Sequence, residues 1–121
     1  MGLCAAKARP PLAWTEISAD DVEVTQLEHS TSYAVRLPPE ASPARRIEVR
    51  FPRALEAAKV EALGSGPNHA LTRLYETRVR GNTLAFETPP LTLDRLDLVV
   101  HHHLRPRPLP PGVRVGKEVR P

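Results

Sequence analysis

The chain has 121 residues, a formal net charge of +3, 14 prolines, one cysteine and five aromatic residues (one Trp, two Tyr and two Phe). This length fits one domain, and no apolar run approaches the roughly 18 residues that a membrane-spanning helix needs. A single cysteine excludes an internal disulfide and a cluster of thiolate metal ligands. We therefore expect one small domain without a membrane span.

Basic and acidic residues alternate along the chain instead of forming blocks. The segments 45–50 and 76–78 show this interleaving of Arg with Glu. A nucleic-acid-binding surface normally concentrates its basic residues on one face or tail. The charge distribution therefore predicts a solvated surface with salt bridges, and it disfavours nucleic acid as a partner.

Residues 1–20 are predicted to form an N-terminal arm. The Pro10-Pro11 pair interrupts any continuous helix in this segment. Trp14 and Ile17 are apolar enough to pack back onto a core, which favours an ordered arm over a free tail.

Alternation of apolar and polar side chains begins after the arm, although Leu27 breaks the phase of the first segment. The segments 22–27, 32–37 and 47–51 alternate with a period of two, which predicts half-buried strands. The Pro-rich stretch 38–43, between the second and third of these segments, predicts a loop.

Residues 53–63 are compatible with two structures. Their Ala, Leu, Glu and Lys content favours a helix, but residues 59–63 also alternate as in a strand. Because the neighbouring segments are β, the sequence favours a short turn or helical segment followed by a strand at 58–63. The Gly- and Pro-containing stretch 64–68 is expected to end that strand.

A β-hairpin is predicted for residues 71–87. Its expected turn is Gly81-Asn82, a pair that tolerates the positive φ of a tight turn. In the first strand of this hairpin, alternation places Arg73 and Tyr75 on the same face.

The last long strand is predicted at 96–104. The Pro-rich C-terminal segment 106–121 is expected to pack on the domain or to extend from it, with a short edge strand at 113–115. Many short strands with frequent turn signals, and no βαβ alternation, predict an all-β fold. The predicted domain, residues 21–105, is an antiparallel β-sandwich of the immunoglobulin-like or jelly-roll type with seven to nine short strands.

Three consecutive histidines lie in the last predicted strand. His102 continues the core face, whereas His101 and His103 share the opposite face at a spacing that allows two imidazoles to chelate one metal ion. Zn²⁺ or Cu²⁺ suits such ligands, and His29 and His69 are candidates for a third ligand. The interpretation that the sequence favours is a surface histidine pair without a cofactor.

Cys4 is a candidate lipidation site. Myristoylation would require Ser or Thr at position six, where this chain has Ala6. Lipid attachment at Cys4 would require an upstream signal segment, and the sequence favours an unmodified thiol over it. The expected compartment is the cytoplasm if the chain is native from Met1, and the periplasm or cell surface if a signal peptide has been removed.

The sequence contains no Gly-x-Ser-x-Gly motif and no phosphate-binding Gly-rich motif. It predicts a non-enzymatic binding or accessory module whose partner is another protein, contacted through an edge strand or a sheet face. The candidate contact surface comprises Arg73, Tyr75 and Trp14, together with His101 and His103. Metal binding by the histidines is the alternative function, and weak nucleic-acid binding ranks third.

Overall fold

The computed structural model describes residues 11–67, 69–102 and 110–119, with the backbone alone at 56–57, 69–71 and 80. The strands are β1 (Leu12–Ile17), β2 (Val22–Gln26), β3 (Ser30–Arg36), β4 (Ala44–Gly66), β5 (His69–Leu91), β6 (Arg95–His101) and β7 (Gly112–Glu118). Two single 3-10 turns, Ala19–Asp21 and Pro39–Ala41, connect strands. In the described ranges, no helix has the length and apolar character needed to cross a bilayer.

The strands form two sheets because β4 and β5, each 23 residues long, pass from one sheet into the other. Sheet 1 has the order β1, β7, residues 44–50 of β4 and residues 83–91 of β5. Sheet 2 has the order β2, β3, β6, residues 58–66 of β4 and residues 69–79 of β5. With the halves of β4 and β5 counted separately, nine antiparallel segments pair in the nested order of a jelly roll. The predicted antiparallel β-sandwich is confirmed.

The hydrophobic core lies between the two sheets. Alternate side chains of the inner strands are almost fully buried, among them Ile47, Val49, Val113 and Val115 of sheet 1 and Val35, Val60, Leu96, Leu98 and Val100 of sheet 2. Two aromatic pairs add to this packing. Tyr33 lies against Phe51 with ring centroids 6.0 Å apart, and Tyr75 stacks on Phe86 at 5.0 Å.

The predicted strands at 22–27, 32–37 and 47–51 are confirmed as β2, β3 and part of β4. In residues 53–63, the strand at 58–63 is confirmed, but the preceding turn or helical segment is wrong. The chain stays extended there, with shifts of register on both sides of Leu55. These irregularities turn β4 from sheet 1 into sheet 2, and tertiary pairing overrides the helix propensity of the segment.

The predicted hairpin turn at Gly81-Asn82 is wrong, because both residues lie inside β5. Gly81 has a positive φ of 86° and pairs with Leu55, at the place where β5 crosses between the sheets. Glycine adopts a positive φ without steric strain, and this conformation occurs at bends within strands as well as in turns. The turn of the long β4–β5 hairpin instead lies between Gly66 and His69.

Part of the segment predicted as an N-terminal arm is a strand of sheet 1. β1 pairs along its whole length with β7, which in turn pairs with β4. β7 is therefore an inner strand of sheet 1, and the prediction of a short edge strand at 113–115 is wrong. Only the addition of β1 from the distant N-terminal segment gives β7 a neighbour on each side.

Candidate functional site

The outer face of sheet 1 brings together charged and aromatic side chains from three strands. The register places Trp14 of β1 beside Gly116 of β7 and Arg46 of β4. In the next row, Glu16 lies beside Arg114 and Glu48. Alternation turns these side chains away from the core, because their neighbours along β4 and β7 are buried.

Trp14 packs between a guanidinium group and a glycine. The guanidinium carbon of Arg114 lies 4.0 Å from the centroid of the Trp14 ring, in cation–π geometry. A Cβ atom at Gly116 would lie only 3.1 Å from Cζ3 of Trp14 and 3.2 Å from Cδ1 of Leu12. The absence of a side chain at Gly116 therefore lets the indole rest on the backbone of β7.

Glu48 fixes the guanidinium groups on either side of it. It accepts hydrogen bonds from Nε of Arg46 at 3.0 Å and from Nε of Arg114 at 2.7 Å. The hydrogen bond from Arg46 is the main cause that lowers the pKa of Glu48 below its ordinary value of 4.5, and Arg114 acts in the same direction against the opposing effect of partial burial. Glu48 thus stays ionised and orients Arg114 above Trp14. We call Trp14, Arg114 and Glu48 the Trp14 platform.

A cleft of about 360 Å³ adjoins the Trp14 platform. Its lining combines two carboxylates, two guanidinium groups, a hydroxyl group and exposed backbone, from Glu16, Glu48, Val49, Arg50, Thr83, Gly112, Val113 and Arg114. We call it the sheet 1 cleft. Donors and acceptors placed next to an aromatic ring suit a ligand that carries several hydroxyl groups and an apolar ring surface.

A second cleft, of about 350 Å³, lies at one corner of sheet 2. Four carboxylates and two guanidinium groups line it together with Ala34, namely Asp20, Asp21, Glu23, Asp94, Arg36 and Arg95. Arg95 already donates two hydrogen bonds to Oδ1 of Asp97. No aromatic side chain is among these lining residues, so we take the sheet 1 cleft as the candidate site.

The predicted contact residues Arg73 and Tyr75 lie on opposite faces of sheet 2. Arg73 is 61% exposed and pairs with Glu76 at 2.9 Å. Tyr75 is partly buried and packs against the core, where it stacks on Phe86. The register of β5 against β4 shifts between the pairings of Tyr75 and Arg73, so the two residues do not share the face that simple alternation predicts.

Two of the predicted metal ligands lie at the same end of sheet 2. Nε2 of His101 is 3.6 Å from Oε1 of Glu61 on the outer face. His29 lies in the turn between β2 and β3 with its side chain 83% exposed, and its carbonyl accepts a hydrogen bond from the backbone N–H of His102. The side chain of His102 lies at the core edge as alternation predicts, with Nε2 2.9 Å from the Thr31 hydroxyl.

The backbone positions of His69 and His101 lie far apart along sheet 2. His69 is opposite Gly66, whereas His101 is opposite Lys59. Seven residues of β4 separate these positions, which corresponds to roughly 23 Å along a strand. His103 lies outside the described residues, and within the described ranges no group of three His, Cys, Asp or Glu side chains is arranged to hold a metal ion. Binding of Zn²⁺ or Cu²⁺ stays a prediction.

Cys4, the predicted lipidation site, also lies outside the described residues. Trp14 is the one predicted contact residue that belongs to the candidate site. Arg114, which stacks on Trp14, and Glu48, which holds Arg114, are not predictable from local sequence because they are 66 positions apart in the chain. The alternating polar positions of 47–51 and 113–115 were visible, but only the pairing of β7 with β4 joins them.

No family model matches the chain, and no curated protein matches it. A solved structure that it resembles is the X-ray crystal structure of chitosan-binding module 1 derived from chitosanase/glucanase from Paenibacillus sp. IK-5. The two share 13% sequence identity, with a TM-score of 0.52 over 88% of this chain and 89% of that chain. At this identity, the similarity establishes an all-β sandwich fold and leaves the function open.

Proposed function

We propose that this chain is a non-catalytic binding module that recognises a carbohydrate at the Trp14 platform and the adjoining sheet 1 cleft. The observation that carries the proposal is the stack of Arg114 on Trp14, held by Glu48 at the rim of a polar cleft. The fold similarity to a chitosan-binding module supports it, because that protein uses a sandwich of this kind as a binding module.

The chemistry of the site suits sugar hydroxyl groups. A carboxylate accepts hydrogen bonds from hydroxyl groups, and a guanidinium group donates to them in a fixed plane. Because Glu48 is ionised and already holds Arg114, these polar groups are oriented before a ligand arrives, which lowers the entropic cost of binding. Arg114 and Gly116 lie against the faces of the indole, so it is the ring edge that adds an apolar surface beside these polar groups.

The test is a binding survey with soluble polysaccharides of neutral, acidic and basic character. Trp14 is the only tryptophan, so its fluorescence reports ligand contact directly, and affinity electrophoresis measures retention. We expect one class of polysaccharide to bind and the variant Trp14→Ala to lose at least tenfold in affinity. The control is Arg36→Ala, which replaces an exposed residue of sheet 2. Failure of every polysaccharide to bind would refute the proposal.

A second candidate is the protein partner expected from the sequence. In the described structure, residues 69–79 of β5 pair on one side only, with β4, so their other side is an open sheet edge. Such an edge offers backbone groups for an added strand, and the exposed Arg73 lies beside it. Cross-linking of the wild type and Arg73→Glu in an extract of the source cells tests this. A cross-linked protein that Arg73→Glu loses and Trp14→Ala retains would support a protein partner at this edge.

A further inference from the structure

The sheet 1 cleft contains a cation, Arg50, that no carboxylate of the described residues neutralises. Glu48 is shared by Arg46 and Arg114, and Arg46 also approaches Glu87 at 3.6 Å. Arg50, the next outward residue of β4, is exposed and forms no ion pair with any residue in the described part of the chain. Its partners in register on the two neighbouring strands are Gly112 and Thr83, whose small size leaves space beside Arg50.

Glu16, a carboxylate that also lines the cleft, lies away from Arg50. Glu16 is exposed and has no ion pair within the described ranges. Glu16 of β1 pairs in register with Arg114 of β7, and Arg114 pairs with Glu48 of β4. Glu48 is therefore two strands away from Glu16, and it precedes Arg50 by two residues along β4. Strand spacings of about 4.8 Å and rises of about 3.3 Å per residue place the two backbone positions roughly 12 Å apart. The cleft is therefore positive at its β4 side and negative at its β1 side.

We infer that the carbohydrate recognised by this cleft is acidic, with a sugar carboxylate bound by Arg50 on the side of the cleft away from Glu16. This inference rests on the proposed function and specifies its ligand class. A planar guanidinium group binds a carboxylate through two parallel hydrogen bonds. A basic polysaccharide would instead place an ammonium group against Arg50, which forms no ion pair in the described part of the chain. The inference thus separates the ligand of this chain from that of the chitosan-binding structure that it resembles.

Three probes with defined charge test the inference. Polygalacturonate carries a carboxylate on each sugar, its methyl ester has the same backbone without the charge, and chitosan oligomers are cationic. Titrations at low salt, followed by Trp14 fluorescence and calorimetry, keep electrostatic contributions measurable. We expect wild-type protein to bind polygalacturonate at least tenfold more tightly than its methyl ester, since hydrogen bonds between charged groups are the stronger ones.

Two variants in the cleft should change this affinity in opposite directions. Arg50→Gln should weaken binding of polygalacturonate about tenfold or more and leave the methyl ester unaffected. Glu16→Gln should strengthen binding of polygalacturonate about twofold, because removal of a like charge roughly 12 Å from Arg50 has a small effect in water. Arg36→Gln removes an exposed positive charge from sheet 2 and should act as the wild type. All three positions are exposed, and circular dichroism verifies that each variant folds.

The outcomes separate the inference from the proposed function. Equal binding of the methyl ester, or an affinity that Arg50→Gln does not change, would overturn the acidic ligand while the carbohydrate-binding function stands. Preference for chitosan oligomers would overturn it in the same way. If no probe binds and no polysaccharide of the wider survey binds either, the proposed function itself fails.

Discussion

Arg114 joins Trp14 to Glu48, with its guanidinium carbon 4.0 Å from the indole centroid and its Nε 2.7 Å from Oε1 of Glu48. Three strands of sheet 1 contribute to this arrangement, since Trp14 lies on β1, Arg114 on β7 and Glu48 on β4. The geometry of the candidate site therefore depends on the register of all three strands.

Replacement of Arg114 with alanine should expose the ring of Trp14. The only tryptophan of the chain would lose the cation that covers it, so we expect a red shift of the emission maximum and stronger quenching by acrylamide. The loss of the cation–π contact should cost about 0.5–1 kcal/mol of stability. Arg73→Ala on sheet 2 is the control and should leave the emission unchanged. An unaltered spectrum for Arg114→Ala would show that the stack does not persist in solution.

The ionisation of Glu48 should make stability depend on pH. Its pKa in the folded protein is below the ordinary value of 4.5, mainly because of Arg46. Its ionisation therefore stabilises the folded state above about pH 4.5, and this contribution disappears as the pH falls through the lowered pKa.

Glu48→Gln should accordingly destabilise the protein by about 1 kcal/mol at pH 7, a value typical of partly exposed ion pairs. Below the lowered pKa, the wild type and this variant should become equally stable. Urea denaturation at several pH values measures the difference, and Glu23→Gln on the outer face of sheet 2 is the control. A difference in unfolding free energy between the wild type and Glu48→Gln that stays constant down to the lowest pH would contradict the lowered pKa of Glu48.

A side chain at Gly64 should force the side chains of Leu74 and Leu93 to move. A Cβ atom there would lie 2.7 Å from Cδ1 of Leu74 and 2.9 Å from Cδ2 of Leu93, inside the core. Gly64→Ala is therefore expected to destabilise the fold by about 1–3 kcal/mol through overpacking. Gly112→Ala is the matched control, because the nearest atom to its new Cβ is the carbonyl oxygen of Arg50 at 3.9 Å. Equal denaturation midpoints for the two variants would contradict the packing described for Gly64.

The metal hypothesis for the histidines makes a separate prediction. Among the described residues, His101 has Glu61 beside it and no third ligand within a metal-binding group. Zn²⁺ is therefore expected to bind no more tightly than submillimolar and to leave the melting temperature unchanged. Calorimetry and thermal melts of the wild type, His101→Asn and His103→Asn check this. Stoichiometric tight binding that both substitutions abolish would establish the metal site instead.

The fold class was predictable because apolar and polar side chains alternate wherever a strand has regular pairing. The buried side chains of 47–51 and of β6 have the phase that the sequence indicates. The bends were not predictable, since they arise from pairing between distant segments. Gly81 has the positive φ that the sequence suggested, but it serves the crossing of β5 between sheets. A shift of register likewise turns Tyr75 inward while Arg73 faces solvent.

The candidate site was less predictable than the fold. Trp14 was identifiable as an aromatic residue available for contact, but its segment shows no periodicity that would place it on a strand. Arg114 and Glu48 have ordinary local sequences, and their significance follows from a pairing over 66 positions. A single sequence does not encode such a juxtaposition locally, because register is set by the packing of both faces.

The nested pairing also has a kinetic consequence. β1 and β7 join Leu12 to Glu118, which are 106 positions apart in the chain. Pairings with such large sequence separation are the slowest to form, because the entropy of loop closure must be overcome first. We expect the β4–β5 hairpin to form early and β1 to dock late. Trp14 then reaches Arg114 in the final step of folding, so a chain truncated to remove β1 would carry the sandwich core without its binding face.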